Sequence, residues 1–159
     1  MFRKMRRSRQ ELTLAESEEI LRSGREGVLA LAGADGYPYA VPLNYVYADG
    51  KIYFHVAKEG HKTDCIRHSD KASFCVVSEG RIVPEEYTTY FRSAIAFGRI
   101  GVVSDEEEKR RSLYVLTEKY APAVKEEGVD PAAMSCFPAV TMLRFDVEHL
   151  SGKQAKELI

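Results

Sequence analysis

Three groups of side chains in this chain are spaced for chemistry. The first is Asn44 and His55, which fall opposite each other if Asp49–Gly50 is a two-residue turn. Asp-Gly between alternating apolar positions is the strongest short-range hairpin signal, because both central residues need positive φ. In that register Tyr47 faces Ile52, Tyr45 faces Phe54 and Leu43 faces Val56, all large and on one side of the pleat. The other side carries Val46 with Tyr53, Asn44 with His55 and Pro42 with Ala57, and Ala40 extends this shallow, partly polar strip. A flat ring fits such a strip, with Asn44 and the strand backbone as hydrogen-bonding partners. An amphipathic hairpin with a solvated outer face is the plainer reading of the same pattern.

The second group is Gly60, His61 and Lys62, which open a short helix. Free backbone N–H groups at a helix start, together with a lysine charge, favour a phosphate. A flat platform with a phosphate anchor at one end describes a nucleotide-like cofactor site. The third group is His61, Cys65 and His68, at i, i+4 and i+7 on one helical face. That spacing suits a metal or haem, yet only three ligands are local and no second cluster supplies a fourth. Glu85 and Glu86 are adjacent carboxylates, but sequence neighbours point apart, and a charged loop is the simpler reading.

Short elements must position these groups. Thr13–Glu16 is a capping box that starts a short helix, with Leu14, Ile20 and Leu21 toward one side and Gly24 at its left-handed end. Strands are expected at Val28–Ala32, on both sides of Asp49–Gly50, at Lys71–Ser78, over Tyr87–Val103 and over Val140–Leu150. Pro38 and Pro42 cannot donate to a ladder, so their strand belongs at an edge, where free backbone can face a cofactor. Ala94, Ala96 and Gly98 form a small face open to another backbone, a ligand or a second subunit, and Gly98 and Gly101 allow a bulge. Ser104–Glu107 reads as a second capping box, starting a helix through about Lys119 with Leu113, Leu116 and Tyr120 as its buried stripe. A loop with a short helical turn is expected around Lys125–Met134, punctuated by Pro131 and Pro138. Lys153 follows a Ser-Gly turn and could approach an anionic ligand or stand as a surface lysine.

At 159 residues, 45% hydrophobic and 30% charged, the chain fits one soluble domain with a sizeable core, residues 1–12 forming a flexible basic arm. The net charge of −1 excludes the domain-wide basic field of nucleic-acid binders. The first nine residues do carry five basic side chains, but without interleaved aromatics a solvated arm is expected. No apolar run reaches membrane-spanning length, no signal peptide precedes the fold, and three cysteines (Cys65, Cys75, Cys136) without scaffold spacing fit a reducing compartment. Neither a nucleic-acid nor a membrane partner is expected, and the expected location is cytoplasmic.

The segments VPLNYVY (Val41–Tyr47), DGKIYFHVAKEGHK (Asp49–Lys62) and YFRSAIAFGRI (Tyr90–Ile100) resemble the FMN-binding split-barrel superfamily. The resemblance is to its pyridoxamine-5′-phosphate-oxidase-like branch, which includes nitroimidazole-resistance proteins, and runs in order from about Glu26 to Lys153. It implies a mainly β protein with short helices, a split β-barrel, and a homodimer with two equivalent FMN sites. It also implies that the ring lies along Val41, Pro42, Leu43 and Asn44, held largely by backbone contacts. His55, Val56 and Ala57 then flank the ribityl chain and phosphate, and Lys62 binds the phosphate with His61 where the oxidases often carry arginine. His55 resembles a strand histidine close to the flavin in the resistance proteins, a candidate catalytic group; a packed histidine bonded to Asn44 is the alternative. The chain has no tryptophan, so the Trp- and Arg-bearing signature by which true pyridoxamine phosphate oxidases recognise substrate is missing. The implied function is an FMN-dependent oxidoreductase passing electrons to a small acceptor such as a nitroaromatic or quinone. A non-catalytic flavin carrier or sensor, or a haem or deazaflavin binder on the same fold, are the alternatives.

Overall fold

The computed structural model describes residues 2–122 and 140–159. The stretch around Lys125–Met134, Cys136 and Pro138 lies outside them. Among the described residues eight antiparallel strands form one sheet, and three α-helices pack on it. The strands are β1 (Glu11–Leu12), β2 (Glu26–Ala32), β3 (Pro38–Asn44), β4 (Val46–Ala48), β5 (Lys51–Val56), β6 (Lys71–Val83), β7 (Thr88–Val102) and β8 (Thr141–Gln154). They run in the order β3-β2-β6-β7-β8-β5-β4, with β1 added to β8. The two ends of that path, β3 and β4, are joined in the chain by the single residue Tyr45. The sheet is thereby rolled into a barrel that stays open where β3 and β5 do not pair.

The Asp49–Gly50 turn forms as its chemistry demands, with φ of 52° and 74°. Its register is the expected one for Ala48 with Lys51, Tyr47 with Ile52 and Val46 with Tyr53. Pairing then stops, and β3 turns away to join β2 while β5 continues on β8, where His55 faces Met142. Asn44 therefore does not pair with His55, which corrects the extended hairpin. The chain changes neighbours at Tyr45. The N–H of Tyr45 donates to the Tyr120 hydroxyl (3.0 Å), and its carbonyl shares the proton of that hydroxyl (2.8 Å) with Arg25. These groups point away from β5, toward Arg25, so the hydroxyl closes the β2–β3 ladder where it ends. Pro38 and Pro42 lie on edge strand β3, as a residue without an N–H requires.

The barrel interior is filled by Leu29, Leu31, Tyr45, Ile52, Phe54, Phe74, Val76, Leu143 and Phe145, all buried. Phe74 meets Tyr45 and Phe54 edge-on, with ring centroids 4.7 and 5.1 Å apart. The expected core face of the hairpin is present: Tyr45, Ile52, Phe54 and Val56 are buried, and Leu43 and Tyr47 pack against them. Helix α1 (Leu14–Ser23) begins with the Thr13–Glu16 capping box and contributes Ile20 and Leu21 to this core. Leu14 is exposed instead of buried. Gly24 ends α1 in extended backbone (φ −64°), not in a left-handed cap. A glycine is needed there for space, since a Cβ would stand 2.5 Å from the Tyr45 hydroxyl and 2.6 Å from Val76.

Ala94, Ala96 and Gly98 face this interior and are buried, so they offer no surface to a partner or ligand. Their small size lets β7 cross close to its neighbours. At Gly98 a β-bulge sets Phe97 against His149 and Gly98 against Val147. The large residues Ile95 and Phe97 point outward, each 38% exposed.

Helix α2 (His61–His68) lies on β2 and buries Cys65. Among the described residues no three His, Cys, Asp or Glu side chains come together to hold a metal, so His61, Cys65 and His68 do not form a site. Helix α3 (Glu106–Tyr120) is capped by Asp105, which accepts from the Glu108 amide (2.7 Å); the cap is one residue later than Ser104. Against β4, β5 and β8 it builds a second core with Val46, Tyr53, Val103, Leu116 and Met142. Its first turn is anchored by Glu108, which accepts from the Tyr53 hydroxyl (2.9 Å) and Arg144 (3.0 Å) and lies 3.8 Å from Lys51. Burial alone would push the Glu108 carboxyl up, but those partners outweigh it and hold it below the usual carboxylate range. Burial and the bond to Glu108 push the Tyr53 phenol up to about 12.

Two outcomes follow from this packing. A methyl group at Gly98 would overlap the Asp146 backbone carbonyl, whereas one at Gly101 meets nothing within 4 Å. Urea unfolding should show Gly98→Ala losing about 3 kcal/mol or more and Gly101→Ala changing by less than about 1 kcal/mol. Glu108 has a folded pKa below its unfolded one. Its contribution is therefore present above the usual carboxylate range and lost as pH falls through the lowered value. The stability gap between wild type and Glu108→Gln should shrink on acidification; a gap constant with pH would assign the effect to packing alone.

Candidate functional site

Beyond Tyr45 the parting of β3 from β5 leaves a cleft of about 540 Å³. One wall is sheet: Pro42, Leu43 and Asn44 from β3, and His55 from β5. The other wall is the C-terminal half of α3, through Leu113, Leu116, Thr117 and Tyr120, followed by Ala121. Concave sites of this size, largely apolar with a few polar groups, are the usual form of small-molecule pockets. The sequence placed Pro42, Asn44 and His55 on one strip, and they do meet here. It gave no sign that α3 faces them, although the same Leu113, Leu116 and Tyr120 stripe was visible as a buried face.

The polar groups of the cleft divide sharply. The Thr117 hydroxyl is committed to the Leu113 carbonyl (2.9 Å), and the Tyr120 hydroxyl to the backbone of Tyr45 and Arg25. The side chains of Asn44 and His55 make no hydrogen bond among the described residues, and both residues are exposed. The packed, Asn44-bonded histidine is therefore not what forms. Two unpartnered polar side chains look into an apolar cleft whose lining, among the described residues, includes no Lys, Arg, Asp or Glu. The outer edge of β3 adds a third resource. The strand pairs only with β2, so its other backbone edge is unpaired among the described residues.

The remaining residues expected around a cofactor are placed differently. Val41 and Leu43 turn their side chains to the core, and Val56 is buried there, so only their backbones can reach a ligand. Ala57 is exposed in the turn before α2. Gly60 has φ of 141°, a conformation that favours glycine, and His61 packs edge-on against Tyr39 at 4.4 Å. His61 and Lys62 open α2 and do not line the cleft described above.

The tail of α3 is held by two further contacts. Lys119 donates to the Gly24 carbonyl (2.5 Å) and lies over the Tyr45 ring (4.2 Å). Partial burial lowers its ammonium to about 8, while the ring face and the carbonyl favour the charged form. No helix among the described residues is long and apolar enough to cross a membrane.

Among curated protein sequences none matches this chain. Solved structures do. A FAD-binding protein from Mesorhizobium loti is 25% identical with a TM-score of 0.70, covering 92% of this chain and 98% of that one. The flavocytochrome Anf3 from Azotobacter vinelandii has a TM-score of 0.80 at 18% identity, covering 96% of this chain and 72% of that one. A candidate 5-nitroimidazole antibiotic resistance protein from Bacteroides thetaiotaomicron is 22% identical with a TM-score of 0.73, covering 91% and 86%. They share the split-barrel fold seen here. The family model described as pyridoxamine 5′-phosphate oxidase matches residues 13–154, and the chain belongs to that family.

Proposed function

We propose that this protein binds a flavin, FMN, in the cleft between β3, β5 and α3, and uses it to pass electrons to a small acceptor. The observation that carries this reading is the pair of unpartnered groups, Asn44 and His55, facing an apolar cleft beside the free edge of β3. A flavin ring needs a flat apolar berth and hydrogen-bonding partners along one rim, and this cleft offers both. Pro42, Leu43 and Asn44 would hold the ring through the β3 edge, and His55 would bond its polar rim. Leu113 and Leu116 would keep water from its face. Among the described residues the cleft lining has no cation for the phosphate. That role falls to Lys62 and His61, with the free amides at the start of α2. When bound, the flavin supplies reversible electron transfer, and the protein supplies position and shielding. Described lining residues without charge suit a neutral acceptor of the nitroaromatic or quinone kind.

The outer face of the barrel supports a second part of the proposal, a two-fold homodimer. Val28, Cys75 and Ile95 lie side by side on β2, β6 and β7, and Pro42 continues the row into the cleft. With Val77 (62% exposed) and Phe97, they form a continuous apolar surface of the kind that usually meets a partner. A C₂ interface would use this face twice and set two equivalent clefts at its margin. The cysteines Cys65 and Cys75 are free, in keeping with a cytoplasmic location.

An absorption spectrum of the purified protein tests the cofactor: flavin bands support the proposal, and a Soret band would point to haem. Turnover of a nitroaromatic with a reduced nicotinamide then separates an oxidoreductase from a carrier or sensor. Lys62→Ala should weaken FMN binding by roughly ten- to a hundredfold, the worth of one charge-assisted contact to a phosphate. Riboflavin, which lacks the phosphate, should lose little, and equal losses for both flavins would mean that Lys62 serves the fold. In sedimentation at micromolar concentration the wild type should run at twice the chain mass and Ile95→Glu as a monomer. A wild-type monomer with flavin bound would remove the dimer.

A further inference from the structure

The N-terminal arm is held at both ends. The Phe2 ring stacks on His149 (4.6 Å between centroids, 9° between planes) and lies 5.6 Å from Phe97. Nine residues later Glu11 and Leu12 join the sheet as β1, opposite Lys153 and Gly152 of β8. Between these fixed points Arg6, Arg7, Ser8, Arg9 and Gln10 wrap a hollow of about 500 Å³, which Lys156 closes from the C-terminal end.

The charges around this hollow are one-sided. Among the described residues Arg6, Arg7 and Arg9 have no carboxylate partner, and Lys156 has only Glu157 at 3.5 Å. Four cations held around one hollow lie within a Debye length of each other and repel, in a chain whose net charge is −1. A bound anion turns that repulsion into attraction, and guanidinium forks match phosphate oxygens geometrically. Gln10 also lines the hollow, is only 5% exposed, and keeps a buried side-chain carbonyl oxygen with no donor. A nucleic-acid strand would also need aromatic platforms for its bases. The arm's one described aromatic, Phe2, is already stacked on His149.

We propose that this hollow is a second binding site, separate from the cleft, for a small polyphosphate anion held by Arg6, Arg7, Arg9 and Lys156. The polyphosphate is either free or part of a nucleoside diphosphate.

Calorimetric titration of the full chain with inorganic pyrophosphate and with ADP, at fixed ionic strength, tests it. One saturable site per chain is expected, unchanged by saturating FMN. Arg7→Ala and Arg9→Ala, both at exposed positions, should each weaken pyrophosphate about tenfold or more. Arg22→Ala on α1 should change nothing. Equal affinity for pyrophosphate and ADP would name the polyphosphate alone as ligand; a tenfold preference for ADP would name the nucleotide. The proposal is overturned by displacement of pyrophosphate by FMN, by equal losses in Arg22→Ala and Arg7→Ala, or by the lack of saturable binding. It is overturned equally if only a single-stranded oligonucleotide or phosphatidylserine vesicles bind.

Discussion

The break in the strand at Tyr45 is the constraint on which the barrel and its cleft both depend. One hydroxyl, that of Tyr120, takes the N–H and C=O of Tyr45 and also reaches the Arg25 carbonyl. A buried backbone amide cannot stay unpaired without a cost of about 1–3 kcal/mol, so a strand interrupted here needs a substitute partner. The Tyr45 side chain points the other way, fully buried, with its own hydroxyl on the Leu21 carbonyl (2.7 Å). Burial of such a ring contributes about 2–3 kcal/mol. It also pushes the phenol pKa up, which keeps the hydroxyl a donor throughout the physiological range. One residue thus ties α1, the barrel interior and α3 together at the point where the barrel is open.

The same knot explains why the cleft has its particular character. Because Tyr120 spends its hydroxyl on the backbone, it presents mainly its ring to the cleft, in line with Leu113 and Leu116. The anchoring charges of α3 are concentrated at its other end, where Glu108 meets Tyr53, Arg144 and Lys51. The Glu108 network at one end, and Lys119 with Tyr120 at the other, hold the helix across the second core. The described residues of the α3 wall of the cleft are thereby left without charge. Asn44 and His55 on the opposite wall are then the side chains left with hydrogen-bonding capacity in the cleft among the described residues.

Much of this was legible in the residues themselves. The Asp49–Gly50 turn, the core face of its hairpin, the capping box of α1 and the edge position of Pro38 and Pro42 rest on φ preferences, period-two patterning and the missing proline N–H. All of these act over a few residues. The meeting of Pro42, Asn44 and His55 in one cleft follows from the same periodicity, since all three lie on the strip opposite the core. The family resemblance in Val41–Tyr47 and Asp49–Lys62 is equally local and led to the split barrel.

What only the tertiary structure decided is which way a face points and what covers it. Ala94, Ala96 and Gly98 alternate with Ile95 and Phe97 in a pattern that is identical whether the small residues lie outside or inside. Closure of the barrel puts them inside, because β7 must pass close to the β8 bulge at Gly98. The pairing of Asn44 with His55 fails because β3 leaves at Tyr45 to pair with β2 while β5 continues on β8, and a hydroxyl 75 residues away in sequence takes up the Tyr45 backbone where the chain turns. The anchoring of the arm by Phe2 on His149, and the role of α3 as a cleft wall, are likewise contacts between distant segments. Turn chemistry and alternation are written into neighbouring residues, whereas the partner of a strand edge is settled by whichever group in the folded chain reaches it.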